Sequence, residues 1–339
     1  MATAAIIGLG LIGGSIGAGL VAAGWDVVGY DADDGVIAEA HGLGLACRFV
    51  GSIDDVVAER PDVIVVAVPP KATIETLHRL HTDIPVMDVA GVKGAVVAAA
   101  SHLGGFVGTH PMAGRETSGP GAASPALFRG ASWVVVHNSS SEADATVVSV
   151  IETLGGAVIR MTPAEHDAAV AKISHLPQLV AVALLAGADD TDGALELAAG
   201  SFRDLTRVGA SQPLPWVELF RANSSAVLDA VGALKAQLSL LEAAILTDDD
   251  TLLGMLTHAR ETRQALGAPA AAVRVALADQ PGEIAKVGHA LEESQVDVRD
   301  IQLRHAPHGG GGVLTISVRP GDEEPLKQSL EDVGLLLVT

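Results

Sequence analysis

A glycine-rich turn near the start of the chain and an aspartate after it have the residue types and spacing that suit a dinucleotide. Gly8, Gly10 and Gly13 follow a predicted strand and open a predicted helix, the context in which backbone N–H groups meet a pyrophosphate. Asp31 ends the second predicted strand, where a carboxylate accepts hydrogen bonds from a ribose and repels a 2′-phosphate. A surface acid is the alternative interpretation of Asp31. The pattern predicts NAD rather than NADP, held by Gly8, Gly10, Leu11, Ile12, Gly13 and Asp31.

Two segments at the ends of predicted strands hold further candidates. Val68 and Pro69 lie at the carboxyl end of the predicted strand 62–68, where open α/β sheets bind ligands, although a proline can simply stop a strand. His110 lies in the polar, glycine-rich loop 108–119. Histidine is the side chain best suited to remove a proton near neutral pH. His110 is therefore a candidate base, although the chain has 12 histidines and most need no special role.

A second group of candidates could recognise an anion. His175 precedes a strongly apolar stretch, which predicts that a helix begins at this residue. Arg203 and Arg207 stand four positions apart and are predicted to project from one helix face. Two guanidiniums on one face suit a dicarboxylate, because each forms paired, charge-assisted hydrogen bonds. A solvated basic face neutralised by Asp204 or Glu218 explains the two arginines equally well.

Composition and charge exclude several classes of partner. The chain has 339 residues and a formal net charge of −20, so it lacks the basic surface that nucleic acids and anionic membranes require. Any anionic substrate must therefore find a local basic pocket. The first 25 residues are uncharged, but they contain seven glycines and no basic flank, which argues against a signal peptide or a membrane span. The single Cys47 fits a cytoplasmic location, and no ligand cluster predicts a metal.

The order of the predicted elements divides the chain into three domains. Residues 1–162 alternate short apolar strands with helices, which indicates an α/β Rossmann-type NAD-binding domain with a parallel sheet. Residues 163–266 contain no strand pattern and are predicted to be all-α. Residues 270–339 have the pattern βαββαβ, which predicts a ferredoxin-like domain. The predicted strands cover residues 4–7, 26–30, 62–68, 85–89 and 132–136, then 272–278, 296–305, 313–318 and 335–338.

Taken together, these stretches resemble the prephenate and arogenate dehydrogenase family of tyrosine biosynthesis. The C-terminal stretch 279–285, Asp-Gln-Pro-Gly-Glu-Ile-Ala, resembles the signature of an ACT domain, whose turn and helix start bind an amino-acid effector. The resemblance to the dehydrogenases covers residues 1 to about 265 in the right order. It rests on the stretches 8–17, 88–93, 108–119, 174–177, 200–207 and 215–220.

The resemblance implies an NAD-dependent oxidative decarboxylation of prephenate to 4-hydroxyphenylpyruvate. A hydride leaves the carbon that bears the ring hydroxyl, carbon dioxide departs, and the ring becomes aromatic. His110 would accept the hydroxyl proton, Arg207 would bind a substrate carboxylate, and His175 would contact the substrate across the domain cleft. Glu116 would pair with Arg207 as a gate, and the helical domain would form a homodimer.

The resemblance also assigns the remaining residues to three sites. Arg203, Trp216 and Gly200 would complete the substrate site, although a tryptophan behind two prolines is more often part of a core. Val68, Pro69 and Gly91 would join the cofactor site. The effector, expected to be tyrosine, would bind at Asp279, Pro281, Gly282 and Ile284.

Gly91 departs from the family pattern, in which a serine at this position hydrogen-bonds the catalytic histidine and the nicotinamide. Without that hydroxyl, a bridging water, Thr109 or Ser118 would have to orient His110. The departure keeps open a different class of protein, a non-catalytic sensor of dinucleotide and amino acid. Within the same class, an arogenate dehydrogenase that makes tyrosine directly is the alternative. A two-domain hydroxyacid dehydrogenase explains the glycine turn but neither the ACT-like tail nor the paired arginines.

Overall fold

The computed structural model describes residues 1–114, 117–136, 141–247, 249–266, 271–305 and 311–338. The chain forms two compact units, Met1–Lys235 and Ala236–Thr339. Glu116 and the predicted linker at 267–269 lie outside the described residues. The domain boundaries at 162, 266 and 270 stay predictions, because a division into two units does not test them.

A six-stranded parallel sheet forms the base of the N-terminal unit. Its strands are β1 (Thr3–Ile7), β2 (Asp26–Tyr30), β3 (Arg48–Phe49), β4 (Val63–Val66), β5 (Val86–Asp88) and β6 (Phe106–Val107). The connecting helices are α1 (Leu11–Ala22), α2 (Asp34–Gly42), α3 (Ile53–Ala58), α4 (Pro70–Arg79) and α5 (Gly94–Ala99). Strand β4 is apolar and buried at every position, as expected for a parallel strand between two helical layers.

The strand order β3-β2-β1-β4-β5-β6 confirms the predicted Rossmann-type sheet. The direction of the chain across the sheet reverses between β1 and β4, and ligands of such sheets bind outside the carboxyl ends of the strands at this point. The glycine turn follows β1 and opens α1 there, as predicted. Strands β3 and β6 are not predicted from the sequence because each has only two residues.

A smaller sheet carries His110. Strand β7 (Thr109–Pro111) pairs antiparallel with β8 (Ser132–Val136), which pairs parallel with β9 (Ala157–Met161). Helix α6 (Ser141–Thr153) connects β8 and β9. The predicted loop at 108–119 therefore starts as a strand, in which His110 lies opposite Val134.

One helix of 27 residues, Pro163–Asp189, opens the helical part of the chain. Its start is a capping box: Thr162 Oγ1 accepts a hydrogen bond from the Glu165 N–H, and Glu165 Oε2 accepts one from the Thr162 N–H. The stretch predicted to begin a helix at His175 is α-helical from Leu176 onward, but it continues this longer helix. The helix comprises α7 (Pro163–Val170), a π-helical turn (Ala171–His175) and α8 (Leu176–Asp189). Pro177 explains the π-helical turn, because proline lacks an N–H and crowds the preceding turn.

By length and composition, this helix is the one candidate for a membrane span among the described residues. A core helix of a protein that spans no membrane can meet the same criteria of length and composition. The helices that follow are α9 (Gly200–Thr206), α10 (Pro213–Ala222), α11 (Ser224–Thr247) and α12 (Asp249–Ala265). The described residues between 163 and 266 form no strand.

Arg203 and Arg207 do not belong to one uninterrupted α-helix, and their projection from one face stays a prediction. Helix α9 ends at Thr206, and Arg207 begins a 3-10 turn, Arg207–Ala210. Gly209 lies against α8, where an added Cβ would come within 2.7 Å of Leu185 Cδ1. The close approach of the chain to α8 therefore favours a tight turn in place of a further α-helical turn.

The C-terminal unit contains a four-stranded antiparallel sheet. Its elements are β10 (Ala271–Leu277), α13 (Glu283–Ser294), β11 (Val298–His305), β12 (Gly312–Val318), α14 (Glu323–Asp332) and β13 (Leu336–Leu337). The sheet order is β11-β12-β10-β13. The element order βαββαβ is the predicted one and is that of a ferredoxin-like domain.

Candidate active site

The glycine turn after β1 is packed too closely for side chains at two positions. An added Cβ at Gly13 would lie 1.8 Å from the Gly8 carbonyl oxygen, and one at Gly8 would lie 2.5 Å from the Ala67 carbonyl oxygen. Gly8 also has a φ of +96°, which favours glycine. An added Cβ at Gly10, in contrast, would meet no atom within 4 Å. The turn therefore has a tight base and an open face at Gly10.

A cavity of about 410 Å³ lies on this open face. Helix α1 begins at Leu11 without a side-chain cap, so its first N–H groups remain suited to an anionic ligand. The Asp31 carboxylate accepts a hydrogen bond from the Leu9 N–H at 2.8 Å, which holds it beside the turn. The cavity is lined by residues that include Gly8, Gly10, Asp31, Val68 and Pro69. These features fit the pyrophosphate and ribose of a dinucleotide.

His110 lies next to Gly91 at the end of the parallel sheet. An added Cβ at Gly91 would lie 3.6 Å from His110 Nε2 and 3.2 Å from Leu219 Cδ2. Gly91 therefore faces the Nε2 edge of the imidazole and does not line the dinucleotide cavity described above. Leu219 belongs to α10, so the helical segment reaches the same place.

A buried ion pair holds His110 at this position. Lys93 and Asp88 are both fully buried, and Lys93 Nζ donates hydrogen bonds to the Asp88 carboxylate and, at 2.6 Å, to the Thr109 carbonyl. The Asp88 carboxylate also accepts from the N–H groups of Ala90 (2.8 Å) and Thr109 (3.0 Å). Burial raises the pKa of Asp88 and lowers the pKa of Lys93, and the attraction between them opposes both shifts. The ion pair thus joins the end of β5 to Thr109, the residue before His110.

Thr109 does not replace the missing serine hydroxyl. Its Oγ1 donates to the Asp88 carbonyl at 2.5 Å and accepts from Trp133 Nε1 at 3.0 Å. The side chain is fully buried. The hydroxyl proton is therefore already donated to the Asp88 carbonyl and is not available to His110, so the hypothesis that Thr109 orients His110 by donating this proton is wrong.

The structure instead brings His166 and Asp167 of α7 to the other edge of the imidazole. His110 Nδ1 lies 2.9 Å from His166 Nε2, and His166 Nδ1 lies 2.8 Å from Asp167 Oδ1. Asp167 is itself held by the N–H groups of Lys93 (2.7 Å) and Gly94 (2.8 Å). Sequence reasoning missed this pair because 56 residues separate His110 from His166. The signal that could have found it is a His-Asp dipeptide in the first turns of a capped helix.

Electrostatics keep His110 neutral. Burial lowers the pKa of His110 well below its ordinary value, and His166, Lys93 and His175 lower it further, whereas Asp167 opposes the shift. Burial also opposes ionisation of Asp167, but its hydrogen bonds to His166, Gly94 and Lys93 hold the pKa of Asp167 below its ordinary value. The site thus contains a neutral imidazole beside an ionised carboxylate.

His175 faces the same region from the helical segment. It is buried, and its ring meets Trp216 and Phe220 edge-on, with centroid distances of 6.2 Å to each. Burial lowers the pKa of His175. Asn223 Nδ2 donates to the Asp167 carbonyl at 2.8 Å and lies 3.4 Å from His175 Nδ1. Asn223 therefore links His175 to the residue that anchors His166.

The other predicted substrate residues that the structure describes on α9 and at its end are exposed. Arg203 and Arg207 are exposed, and Arg203 Nε donates to the Ala198 carbonyl at 3.2 Å. Gly200 begins α9 and is also exposed. Glu116 lies outside the described residues, so its pairing with Arg207 stays a prediction. Among the described residues, no group of three histidine, cysteine, aspartate or glutamate side chains could hold a metal ion.

Two family models match the chain in succession. Residues 18–160 match the nucleotide-binding domain of prephenate dehydrogenase, and residues 162–258 match the prephenate dehydrogenase dimerization domain. A prephenate dehydrogenase of Bacillus subtilis is 28% identical over 346 residues, which cover 95% of this chain and 93% of that protein. A cyclohexadienyl dehydrogenase of Zymomonas mobilis is 31% identical, with coverage of 77% of this chain and 94% of that protein.

Solved structures of prephenate and arogenate dehydrogenases are also similar to this chain. A prephenate dehydrogenase from A. aeolicus, in complex with hydroxyphenyl propionate and NAD+, is 29% identical and superposes with a TM-score of 0.74 over 79% of this chain and 99% of that one. An arogenate dehydrogenase from Synechocystis is 29% identical and superposes with a TM-score of 0.69 over 78% of this chain and all of that one.

Proposed function

Because the chain belongs to the prephenate dehydrogenase family, we propose that it catalyses the NAD-dependent oxidative decarboxylation of prephenate to 4-hydroxyphenylpyruvate. The observation that carries the proposal is the neutral His110, whose Nε2 edge faces Gly91 while its Nδ1 edge is hydrogen-bonded to His166. A neutral imidazole with one free ring nitrogen is the group needed to take a proton from a substrate hydroxyl.

NAD is the cofactor, and when bound it accepts the hydride that leaves the substrate. The open face at Gly10, with Gly8 and Gly13 below it, and the N–H groups at Leu11 and Ile12 would receive the pyrophosphate. Asp31 would bind the adenosine ribose, and its charge would disfavour NADP. Val68 and Pro69 line the same cavity. Gly91 would lie where the cofactor and His110 meet.

His110 would take the hydroxyl proton at Nε2 while the substrate loses its hydride and carbon dioxide. A dianionic substrate on a chain of net charge −20 needs local positive charge, which Arg207 and Arg203 would supply. His175, Trp216 and Gly200 would complete the substrate site, and Glu116 would act as a gate with Arg207. These roles follow from the family and from the position of each residue in the motifs.

Arogenate is a second candidate substrate, and one observation favours it. The Oε2 atom of Glu218 on α10 is buried and has no hydrogen-bond partner among the described residues. Glu218 precedes Leu219, whose side chain approaches Gly91. Arogenate differs from prephenate in carrying an ammonium group, and a carboxylate near that group would favour it.

The family also supports a homodimer, since residues 162–258 match a dimerization domain. A cytoplasmic location is also proposed, because the single Cys47 fits a reducing compartment. Residues 270–339 would act as an ACT domain that binds tyrosine at Asp279, Pro281, Gly282 and Ile284. Gly282 has a φ of +97° and directly precedes α13, and Ile284 is exposed, which supports a binding turn at the start of this helix. An unchanged rate at saturating tyrosine would contradict this part of the proposal.

The test is NADH formation by the purified protein with prephenate and with arogenate, each offered with NAD and with NADP. Turnover of prephenate with NAD, with one carbon dioxide released per NADH, is the expected result. Turnover of arogenate alone would change the substrate and keep the site. NAD binding without turnover of either substrate would contradict the proposal and favour a non-catalytic sensor of dinucleotide and amino acid.

A further inference from the structure

We propose that His166 and Asp167 are positioning residues that fix the tautomer and the orientation of His110. The proposal rests on the proposed function only in naming His110 as the base. Its physical basis is a chain of hydrogen bonds that runs from the Nδ1 edge of His110 through His166 to Asp167 and on to the backbone of α5.

The hydrogen bonds in this chain have a single direction. An ionised carboxylate only accepts hydrogen bonds, and the Asp167 carboxylate accepts from Lys93 N–H, Gly94 N–H and His166. His166 Nδ1 therefore carries its proton, and in the neutral ring Nε2 is then an acceptor. In this singly protonated form of His166, the partner of the Nε2 acceptor is His110 Nδ1, which is then the donor.

The consequence for His110 is that its other nitrogen has no proton. With Nδ1 as the donor, the neutral ring keeps Nε2 as a lone pair, and Nε2 faces Gly91. The alternative tautomer, with the proton on Nε2, would be unable to accept a proton there. The histidine side chain in water favours that alternative, so the base depends on His166 to be in the useful form.

Burial and hydrogen bonds hold His166 and Asp167 in position beside His110. His166 is fully buried, and Asp167 is anchored by two N–H groups on one side and by the Asn223 side chain at its carbonyl on the other. The two residues sit in the first turns of a helix that starts at a capping box. The described residues offer the Nδ1 edge of His110 no other partner at hydrogen-bond distance. An added Cβ at Gly91 would approach only the Nε2 and Cε1 edge of the imidazole.

The positive charge that forms on His110 is also placed favourably. When Nε2 takes a proton, the imidazolium keeps its Nδ1–H bond to His166, and His166 keeps its bond to the ionised Asp167. His166 thus orients the neutral base, and the ionised Asp167 favours its protonated form, the two effects that a carboxylate behind a catalytic histidine supplies in other enzymes.

The experiment uses the full-length His166→Ala variant, because an apolar groove lies directly beside the removed ring. The groove has a volume of about 290 Å³, is lined by Met112, Val134, Met161 and Val170 among others, and gives free imidazole a route to the vacated position. His78→Ala, at an exposed position on α4, is the matched control. Thermal unfolding of both variants checks that they fold.

Two readouts are expected to change in His166→Ala. We expect kcat with prephenate and NAD to fall by about 10²-fold or more, with Kd for NAD unchanged, and added imidazole to restore part of the loss. In protein labelled with ¹⁵N-histidine, we expect the His110 Nε2 signal to be pyridine-like in the wild type and to become pyrrole-like in the variant. The control should match the wild type in both readouts.

The outcomes separate this proposal from the proposed function. A folded His166→Ala variant with wild-type kcat or with a pyridine-like Nε2 would overturn the positioning role. A fall in kcat without any rescue by imidazole and without a tautomer change would also overturn it, since His166 would then be merely structural. Absence of turnover in the wild type would refute the proposed function, and the ¹⁵N signal of His110 would still test the tautomer.

Discussion

His110 is expected to work as a base over an unusually wide range of acidic pH. Its pKa is lowered well below the ordinary value, chiefly by burial, so the ring stays neutral at pH values where an ordinary histidine is protonated. Activity that needs neutral His110 is lost only as the pH falls through this lowered pKa. We therefore expect kcat/KM for prephenate to be flat through pH 6.5 and to fall only at clearly lower pH.

The measurement is a pH profile of kcat/KM with saturating NAD, checked against the stability of the protein at each pH. An acid limb centred near the ordinary histidine pKa would contradict the low pKa of His110. A limb that coincides with unfolding would have to be separated from it by a shorter assay.

Asp31 is expected to select NAD by its charge. Asp31→Asn keeps an oxygen that can accept the hydrogen bond from Leu9 N–H and removes only the charge. Because unit charges about 4 Å apart interact by about 1 to 4 kcal/mol near a protein surface, we expect the preference for NAD over NADP to fall by about tenfold or more. The measurement is kcat/KM for each cofactor. Asp34→Asn, at an exposed position on α2, is the control, and an unchanged ratio in Asp31→Asn would contradict the assignment.

At the residue scale, the sequence predicted the residues that stand in contiguous motifs and missed those that meet across the fold. The dinucleotide turn and His110 each belong to a recognisable local pattern. His166 and Asp167 reach His110 only because α7 packs beside the small sheet. The role of Thr109 was predicted wrongly because its buried partners, the Asp88 carbonyl and Trp133, are distant in sequence.

At the scale of the elements, substitutions in the turn from β1 to α1 are expected to separate effects on stability from effects on NAD binding. Gly13→Ala would place a Cβ 1.8 Å from the Gly8 carbonyl oxygen, whereas a Cβ at Gly10 meets nothing within 4 Å. We expect Gly13→Ala to lower the free energy of unfolding by more than about 1 kcal/mol and to weaken NAD binding. Gly10→Ala should leave stability near the wild-type value and weaken NAD binding alone, because its methyl group would occupy the space for the pyrophosphate.

Urea unfolding and NAD titration of both variants check this pair. Equal stability losses in the two variants would contradict the described packing of the turn. Wild-type NAD affinity in Gly10→Ala would contradict the position of the pyrophosphate.

The elements that the sequence predicted well are those with strong local patterns. Strands such as β1 and β4 are continuous apolar runs, and the parallel sheet follows from their alternation with helices. The helical stretch that follows His175 was predicted, but its continuity with α7 was not, because a π-helical turn accommodates Pro177 inside a longer helix. Strand β7 was missed because it has three residues inside a glycine-rich segment.

At the scale of the whole molecule, the helical segment exposes many large apolar side chains, which is typical of an interaction surface when they lie together. Large apolar side chains there are more than half exposed, including Ile173, Leu228, Leu240, Leu246 and Leu253. We expect a homodimer that covers part of this surface. Light scattering at working concentration should give twice the protomer mass of 34.4 kDa, and a monomer would contradict the dimer.

The central claim is that His110 is the base of an NAD-dependent oxidation of prephenate, and His110→Asn tests it most directly. Asparagine has similar polarity but no basic nitrogen, so it cannot take the hydroxyl proton. The measurement is kcat for NADH formation, beside the Kd for NAD. We predict a fall in kcat by a factor of about 10² to 10⁴ with Kd unchanged. A folded variant that keeps kcat within about threefold of the wild type would contradict the claim.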